Sequence, residues 1–77
     1  MQYKVCFIDN VNGKESEYLY IVYNNFDVVA CFKLTKFKKQ YIIYDLKIYS
    51  NSFYECEQIN AIITEHLNNL NNVINTK

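Results

Sequence analysis

The apolar residues of this chain change their period once, and late. Up to Tyr49 they come in short runs rich in tyrosine, phenylalanine and β-branched residues, and from Ser52 onward they recur three and four residues apart. The first pattern is that of strands, the second that of an amphipathic helix. Several strands followed by one helix predict an α+β fold, an antiparallel four-stranded meander with a single C-terminal helix packed on one face. The expected strands cover about residues 3–9, 17–23, 26–37 and 41–50, the helix about 52–74, and residues 75–77 form a tail. A chain of 77 residues fits one domain, 1–77.

Turn chemistry divides the strands. Asn12-Gly13 is the strongest signal, because both residues tolerate the positive φ of a type I′ hairpin. Asn24-Asn25 predicts a second tight turn, and Lys38 to Gln40 a three-residue connection. Ser52 followed by Glu55 matches a capping box at the helix start. Beyond it Cys56, Ile59, Ile62, Ile63, His66, Leu67, Leu70, Val73 and Ile74 form the apolar stripe.

Strand side chains alternate between faces, so these turns predict a register. Two-residue loops at Asn12-Gly13 and Asn24-Asn25 set Cys6 opposite Leu19 and Ile21 opposite Val28. The three-residue loop pairs Leu34 with Tyr44, Phe32 with Leu46, Ala30 with Ile48 and Lys33 with Asp45. One face then collects Cys6, Ile8, Leu19, Ile21, Tyr23, Phe26, Val28, Ala30, Phe32, Leu34, Ile42, Tyr44, Leu46 and Ile48, and this is the face expected under the helix.

The opposite face carries Tyr3, Val5, Phe7, Tyr18, Tyr20, Val22, Val29, Cys31, Tyr41, Ile43 and Tyr49, diluted by Lys33, Thr35, Asp45 and Lys47. A sheet covered on one side should be polar on the other. An apolar second face with no helix left to cover it predicts an interface. Tyr3, Val5, Phe7, Tyr18, Tyr20, Val22, Val29, Tyr41, Ile43 and Tyr49 are its expected residues, and the partner is a second copy of the chain or another protein; the competing explanation is a different register, or an Asn10 to Glu17 segment folded over the face.

Composition excludes several kinds of chemistry. A single glycine, Gly13, leaves no phosphate-cradling loop of the Walker or dinucleotide type. Cys6, Cys31 and Cys56 are far apart with no paired spacing, and His66 is the only histidine, so a zinc site is not expected. Neither a signal peptide nor a membrane-length apolar run is present, which with the odd cysteines predicts a reducing, cytoplasmic setting. Abundant Asn, Ile, Lys, Tyr and Phe, with no Arg, Pro or Trp, suggest an AT-rich genome such as that of a low-GC bacterium, phage or mobile element.

The candidate catalytic groups have structural explanations. Glu15 and Glu17 fall in a solvated loop, and Glu55 and Glu57 in the first helical turn, where negative charge suits the dipole. His66 and Cys56 sit on or beside the apolar stripe. The distinct charge feature is basic. Residues 33–47 hold five lysines against one acid, and Lys33, Lys36, Lys38 and Lys39 with Phe37 read first as a solvated loop, with contact to phosphates or to an acidic surface as the functional alternatives.

The stretch from Asp27 to Leu67 (DVVACFKL, YIIYDLKIY, ECEQINAIITEHL) resembles in order the central hairpin and helix of GNAT-type acetyltransferases. Members of that family hold the coenzyme A pyrophosphate on a glycine-bearing loop at the strand–helix junction. The corresponding junction here, Asn51 to Asn60, has no glycine, so the resemblance implies topology and not acetyl transfer.

The expected function is therefore non-enzymatic. The chain should be a protein-binding module, in the form of a small phage or mobile-element inhibitor of a host defence protein, acting through the tyrosine-rich face. Nucleic-acid binding by the lysine-rich hairpin is the alternative. No metal, small-molecule cofactor or membrane enters either reading.

Overall fold

The computed structural model describes residues 3–75, with the side chains of 73–75 outside that description. Strand β1 spans Tyr3–Asn10, β2 Glu17–Asn24, β3 Asp27–Phe37 and β4 Gln40–Ile48, and helix α1 spans Phe53–Asn75. The strands form one antiparallel sheet in the order β1-β2-β3-β4, and the helix lies across one face. Fold class and element order are those the hydrophobic periods predict. The expected tail residues 76 and 77 lie outside the described residues, as do the side chains of the expected stripe residues Val73 and Ile74.

Each strand pair carries one bulge, and the bulges set the faces. In β1–β2 the pairs Cys6–Ile21 and Phe7–Tyr20 give way to Asp9–Leu19, leaving Ile8 extra. In β2–β3, Ile21–Cys31 and Val22–Ala30 give way to Tyr23–Val28, leaving Val29 extra. In β3–β4, Lys33–Asp45 gives way to Leu34–Ile43, leaving Tyr44 extra. An extra residue reverses the alternation for everything beyond it.

The Val29 bulge overturns the expected face assignment. Ile21 faces Cys31 rather than Val28, so β3 is turned over relative to β1 and β2. Ala30, Phe32 and Leu34 therefore share a face with Tyr20 and Val22, and Tyr3 and Val5 belong to it through β1. The Tyr44 bulge returns Ile43 and Tyr41 to that side, while Leu46 and Ile48 remain on it as expected.

Helix α1 packs on this composite face. Val22, Ala30, Phe32 and Leu34 are fully buried with Ile59 and Ile63 of the helix, and Val29 joins them. Burial of side chains of this size contributes about 1.5–3 kcal/mol each for the larger ones. Tyr3, Val5, Tyr18, Tyr20, Tyr41, Ile43, Ile48, Leu67 and Leu70 surround the cluster.

Two contacts tie the helix ends to the two edge strands. At its start the Ser52 hydroxyl accepts the Glu55 N–H at 3.2 Å, one half of the expected capping box. The Glu55 carboxylate accepts the Tyr3 hydroxyl at 3.3 Å and so fastens the first turn to β1. Near its end the Asn71 side-chain oxygen accepts the Tyr41 N–H at 2.7 Å, and the Asn71 amide donates to the Tyr41 carbonyl at 3.2 Å. That amide stands in for a neighbouring strand, satisfying one donor and one acceptor on the free edge of β4.

The connections differ from the expected hairpins in instructive ways. Asn12 (φ 52°, ψ 30°) and Gly13 (φ 73°) do form a type I′ turn, closed by the Lys14 N–H on the Val11 carbonyl at 3.0 Å. A second turn follows at once, with the Glu17 N–H donating to the Lys14 carbonyl at 3.2 Å, so β1 and β2 are not joined by two residues alone. The β2–β3 loop is Asn25-Phe26, one residue later than expected, with Asn25 at φ 57°.

The β3–β4 loop is Lys38-Lys39 rather than three residues, because Phe37 pairs with Gln40. The pairs Lys33–Asp45, Phe32–Leu46 and Ala30–Ile48 nevertheless form as expected, since Tyr44 supplies the residue that the shorter loop omits. Lys38 (φ 52°) and Lys39 (φ 68°) both occupy the left-handed region, at about 1 kcal/mol or more each for a residue with a Cβ. Replacing the pair by asparagine and glycine (Lys38→Asn with Lys39→Gly) should stabilise the protein by about 1 kcal/mol, read as a higher urea midpoint at unchanged slope.

Candidate functional site

The register places the residues expected at an interface mostly beneath the helix. Val22 and Val29 are buried, and Tyr3, Val5, Tyr18, Tyr20, Tyr41 and Ile43 pack against the core. Phe7 stays half exposed on this side, edge-on to Tyr18 and Tyr20 at 6.2 and 5.6 Å. Tyr49 alone of the ten lies exposed on the opposite face. The tyrosines are internal for a physical reason. Tyr20 stacks on Phe32 at 5.1 Å with planes 5° apart, and burial raises its hydroxyl above the ordinary tyrosine value.

His66 completes this aromatic cluster. Its ring meets Tyr20 edge-on at 5.0 Å and Phe32 at 6.4 Å. Burial holds its pKa below the ordinary histidine value, and its Nε2 is enclosed without a hydrogen-bond partner. A shallow groove between β1 and α1, lined by Tyr3, Val5, Ile62, Glu65, His66 and Asn69, opens beside it. No nucleophile or carboxylate pair converges there with His66, and among the described residues no group of three or more His, Cys, Asp or Glu is placed to hold a metal.

The other face is left open. Pairing puts Lys4, Cys6, Asp9, Leu19, Ile21 and Tyr23 on it, with Cys31, Lys33, Asp45 and Lys47 from β3 and β4. Ile8, Val28, Ile42, Tyr44 and Tyr49 are exposed, and Cys6, Leu19, Ile21 and Tyr23 are only partly shielded. Among the described residues no element packs against this side. Apolar and charged side chains are interspersed across all four strands, and Lys33 and Asp45 pair at 3.6 Å on β3 and β4. The Tyr44 hydroxyl donates to Glu17 at 2.9 Å, and Glu17 also meets Lys14 at 3.4 Å. The Cys31 thiol and the Tyr49 hydroxyl are 3.3 Å apart, a contact that raises the Tyr49 pKa.

The side that no described element covers is lined by other residues than the sequence pattern predicts. Cys6, Ile8, Leu19, Ile21, Tyr23 and Val28 were expected in the core and lie on the open side instead. Their strands alone cannot show this, because the swap comes from one extra residue in the neighbouring strand.

The basic residues divide between two places. Lys33 is held on the open face by Asp45, while Lys36, Lys38 and Lys39 surround the β3–β4 tip. Phe37 is 59% exposed there, with the Lys38 ammonium 5.4 Å from its ring centre, and the Lys36 ammonium is 5.8 Å from the Tyr41 ring. At the opposite end of the sheet Phe26 and Phe53 are 97% and 89% exposed, and the strand pattern alone does not mark either as a surface residue.

No described helix is long and apolar enough to cross a membrane. No family model matches the chain, and neither a curated protein nor a solved structure matches it.

Neighbouring residues on β2 should answer oppositely to the same change. Tyr20→Lys puts a charge beneath the helix and should cost about 3 kcal/mol or more, enough to abolish cooperative unfolding in a domain of this size. Ile21→Lys, on the open face, should keep the native circular dichroism spectrum and a sharp thermal transition. Retention of the fold by both variants, or its loss only in Ile21→Lys, would reverse the face assignment.

The buried His66 also sets a pH dependence. Its pKa is lower folded than unfolded, so below about 6.5 the unfolded chain takes up the proton first and stability falls. Urea midpoints should therefore decline as pH drops from 7.5 to 5.5, and His66→Phe should flatten that decline while keeping the ring contacts.

Proposed function

We propose that this chain acts by binding protein and not by catalysis, and that the open face of its sheet is the contact surface. One observation carries the reading. The register gathers Cys6, Ile8, Leu19, Ile21, Tyr23 and Val28 on a side that no described element covers. A contiguous apolar patch of this kind costs solubility unless it is used. Its anatomy suits an interface, with apolar residues on all four strands interspersed with the paired charges Lys33 and Asp45 and the Tyr44–Glu17 hydrogen bond. The AT-rich composition favours a phage or mobile element as the source and an inhibitor of a host protein as the biological form of that binding.

Nucleic-acid binding at the β3–β4 tip is the second reading. It is supported by the exposed Phe37 ring among Lys36, Lys38 and Lys39. Its mark is affinity for single strands that weakens steeply with salt.

The three thiols provide the test of the first reading. Cys6 and Cys31 lie on the open face, whereas Cys56 sits in the first turns of α1 with its thiol 3.7 Å from the Ser50 carbonyl. Maleimide labelling of intact cells that make the protein should modify Cys6 and Cys31 more slowly than labelling of the dilute purified chain, with Cys56 unchanged. Equal rates in both settings would mean that the face is not covered in use.

A further inference from the structure

Resting on the reading just given, we propose that the occupant of the open face is a second copy of this chain, packed sheet to sheet about a twofold axis perpendicular to the strands. The argument begins with one row of the sheet. Phe7, Tyr20, Phe32 and Leu46 pair in register across all four strands, near the midpoints of β2 and β3. Their side chains point toward the helix, so on β2, β3 and β4 the open face at this level is bare backbone flanked by two rows that point outward, and on β1 the bulged Ile8 stands between the rows. One flanking row is Cys6, Ile21, Cys31 and Lys47, and the other is Asp9, Leu19, Lys33 and Asp45.

A twofold axis through the bare row exchanges these flanking rows between copies. Ile21 then faces Leu19 of the partner subunit, and Lys47 faces Asp45 of the partner subunit, each contact occurring twice. Every strand lies over its own counterpart, so Ile21 and Leu19 of β2 meet near the axis, Cys6 meets Asp9 of the partner subunit on β1, Cys31 meets Lys33 of the partner subunit on β3, and opposite charges meet on β4. Sheets pack in this way about 10 Å apart with strands within about 30° of alignment, which preserves the match near the axis.

Charge balance points to the same occupant. The open face carries Lys4, Lys33 and Lys47 against Asp9, Glu17 and Asp45, and the whole chain has a formal net charge of zero. Such a face offers a strongly acidic or basic partner no long-range attraction, and it offers a copy of itself no repulsion. The Lys47–Asp45 contacts lie at the β4 edge, where a charged rim is ordinary, and Lys33 of β3 keeps Asp45 of its own subunit as its partner. The product is a helix–sheet–sheet–helix dimer with its two lysine tips at opposite ends.

Sedimentation of the purified chain between about 1 and about 500 μM should show a monomer–dimer equilibrium. Ile21→Lys should abolish it while the circular dichroism spectrum is retained. Lys47→Glu should raise the dimer dissociation constant about tenfold, and adding Asp45→Lys together with Lys33→Glu, which keeps the pair within each subunit, should recover most of that loss. Should Ile21→Lys fail to fold, the Lys47 and Asp45 variants decide alone. A monomer at every concentration, or a dimer indifferent to all of these changes, overturns the proposal. A monomer whose Cys6 and Cys31 are nonetheless protected in cells leaves protein binding standing with a different partner. A monomer with both thiols unprotected removes the two together.

Discussion

Val29 is one residue more than the β2–β3 ladder can pair, and that mismatch orders the rest of the molecule. Side chains in a sheet alternate with a period of two, so a single unpaired residue turns the following strand over. Here it brings Ala30, Phe32 and Leu34 of β3 under the same helix as Tyr20 and Val22 of β2. Ile59 and Ile63 pack on the floor that this reversal assembles. The bulge is satisfied on both counts that matter, since Val29 is buried and its carbonyl accepts the Tyr49 N–H at 2.8 Å.

The helix works as the second layer of a two-layer fold, held at both ends by polar contacts as well as by its stripe. Glu55 is fastened to Tyr3 on one sheet edge and Asn71 to the Tyr41 backbone near the other. Both attachments reach edge strands, where backbone groups are otherwise open to another chain. Hydrogen bonds of this kind are individually worth about 1 kcal/mol, yet they set the diagonal on which the apolar stripe can lie. One helix laid that way covers one side of the sheet and leaves the other open, which is where protein binding is proposed.

Much of the architecture is legible in residue order. The change of period at Ser52, the Asn12-Gly13 turn and the serine cap all appear where residue chemistry puts them. The pairs Lys33–Asp45 and Ala30–Ile48 are also those the pattern predicts, although the loop beside them is shorter than expected and Tyr44 makes up the difference. That compensation is invisible locally, because two lysines in left-handed conformations are a costly turn that only the finished ladder selects. The Asn71 clamp is equally silent, as one asparagine among many in the last helical turns.

By itself the sequence determined the elements, their order, the antiparallel pairing and the surplus of apolar surface over what one helix can cover. Those properties follow from local periodicity and from composition, which neighbouring residues carry in full. Tertiary structure alone decided which face is covered. Ile8, Val29 and Tyr44 shift the register by single residues, and whether a strand absorbs such a residue depends on the ladder beside it and on the helix above. Tyr3, Tyr18, Tyr20 and Tyr41 thus pack against the core, and Cys6, Ile8 and Ile21 of β1 and β2 lie on the open side.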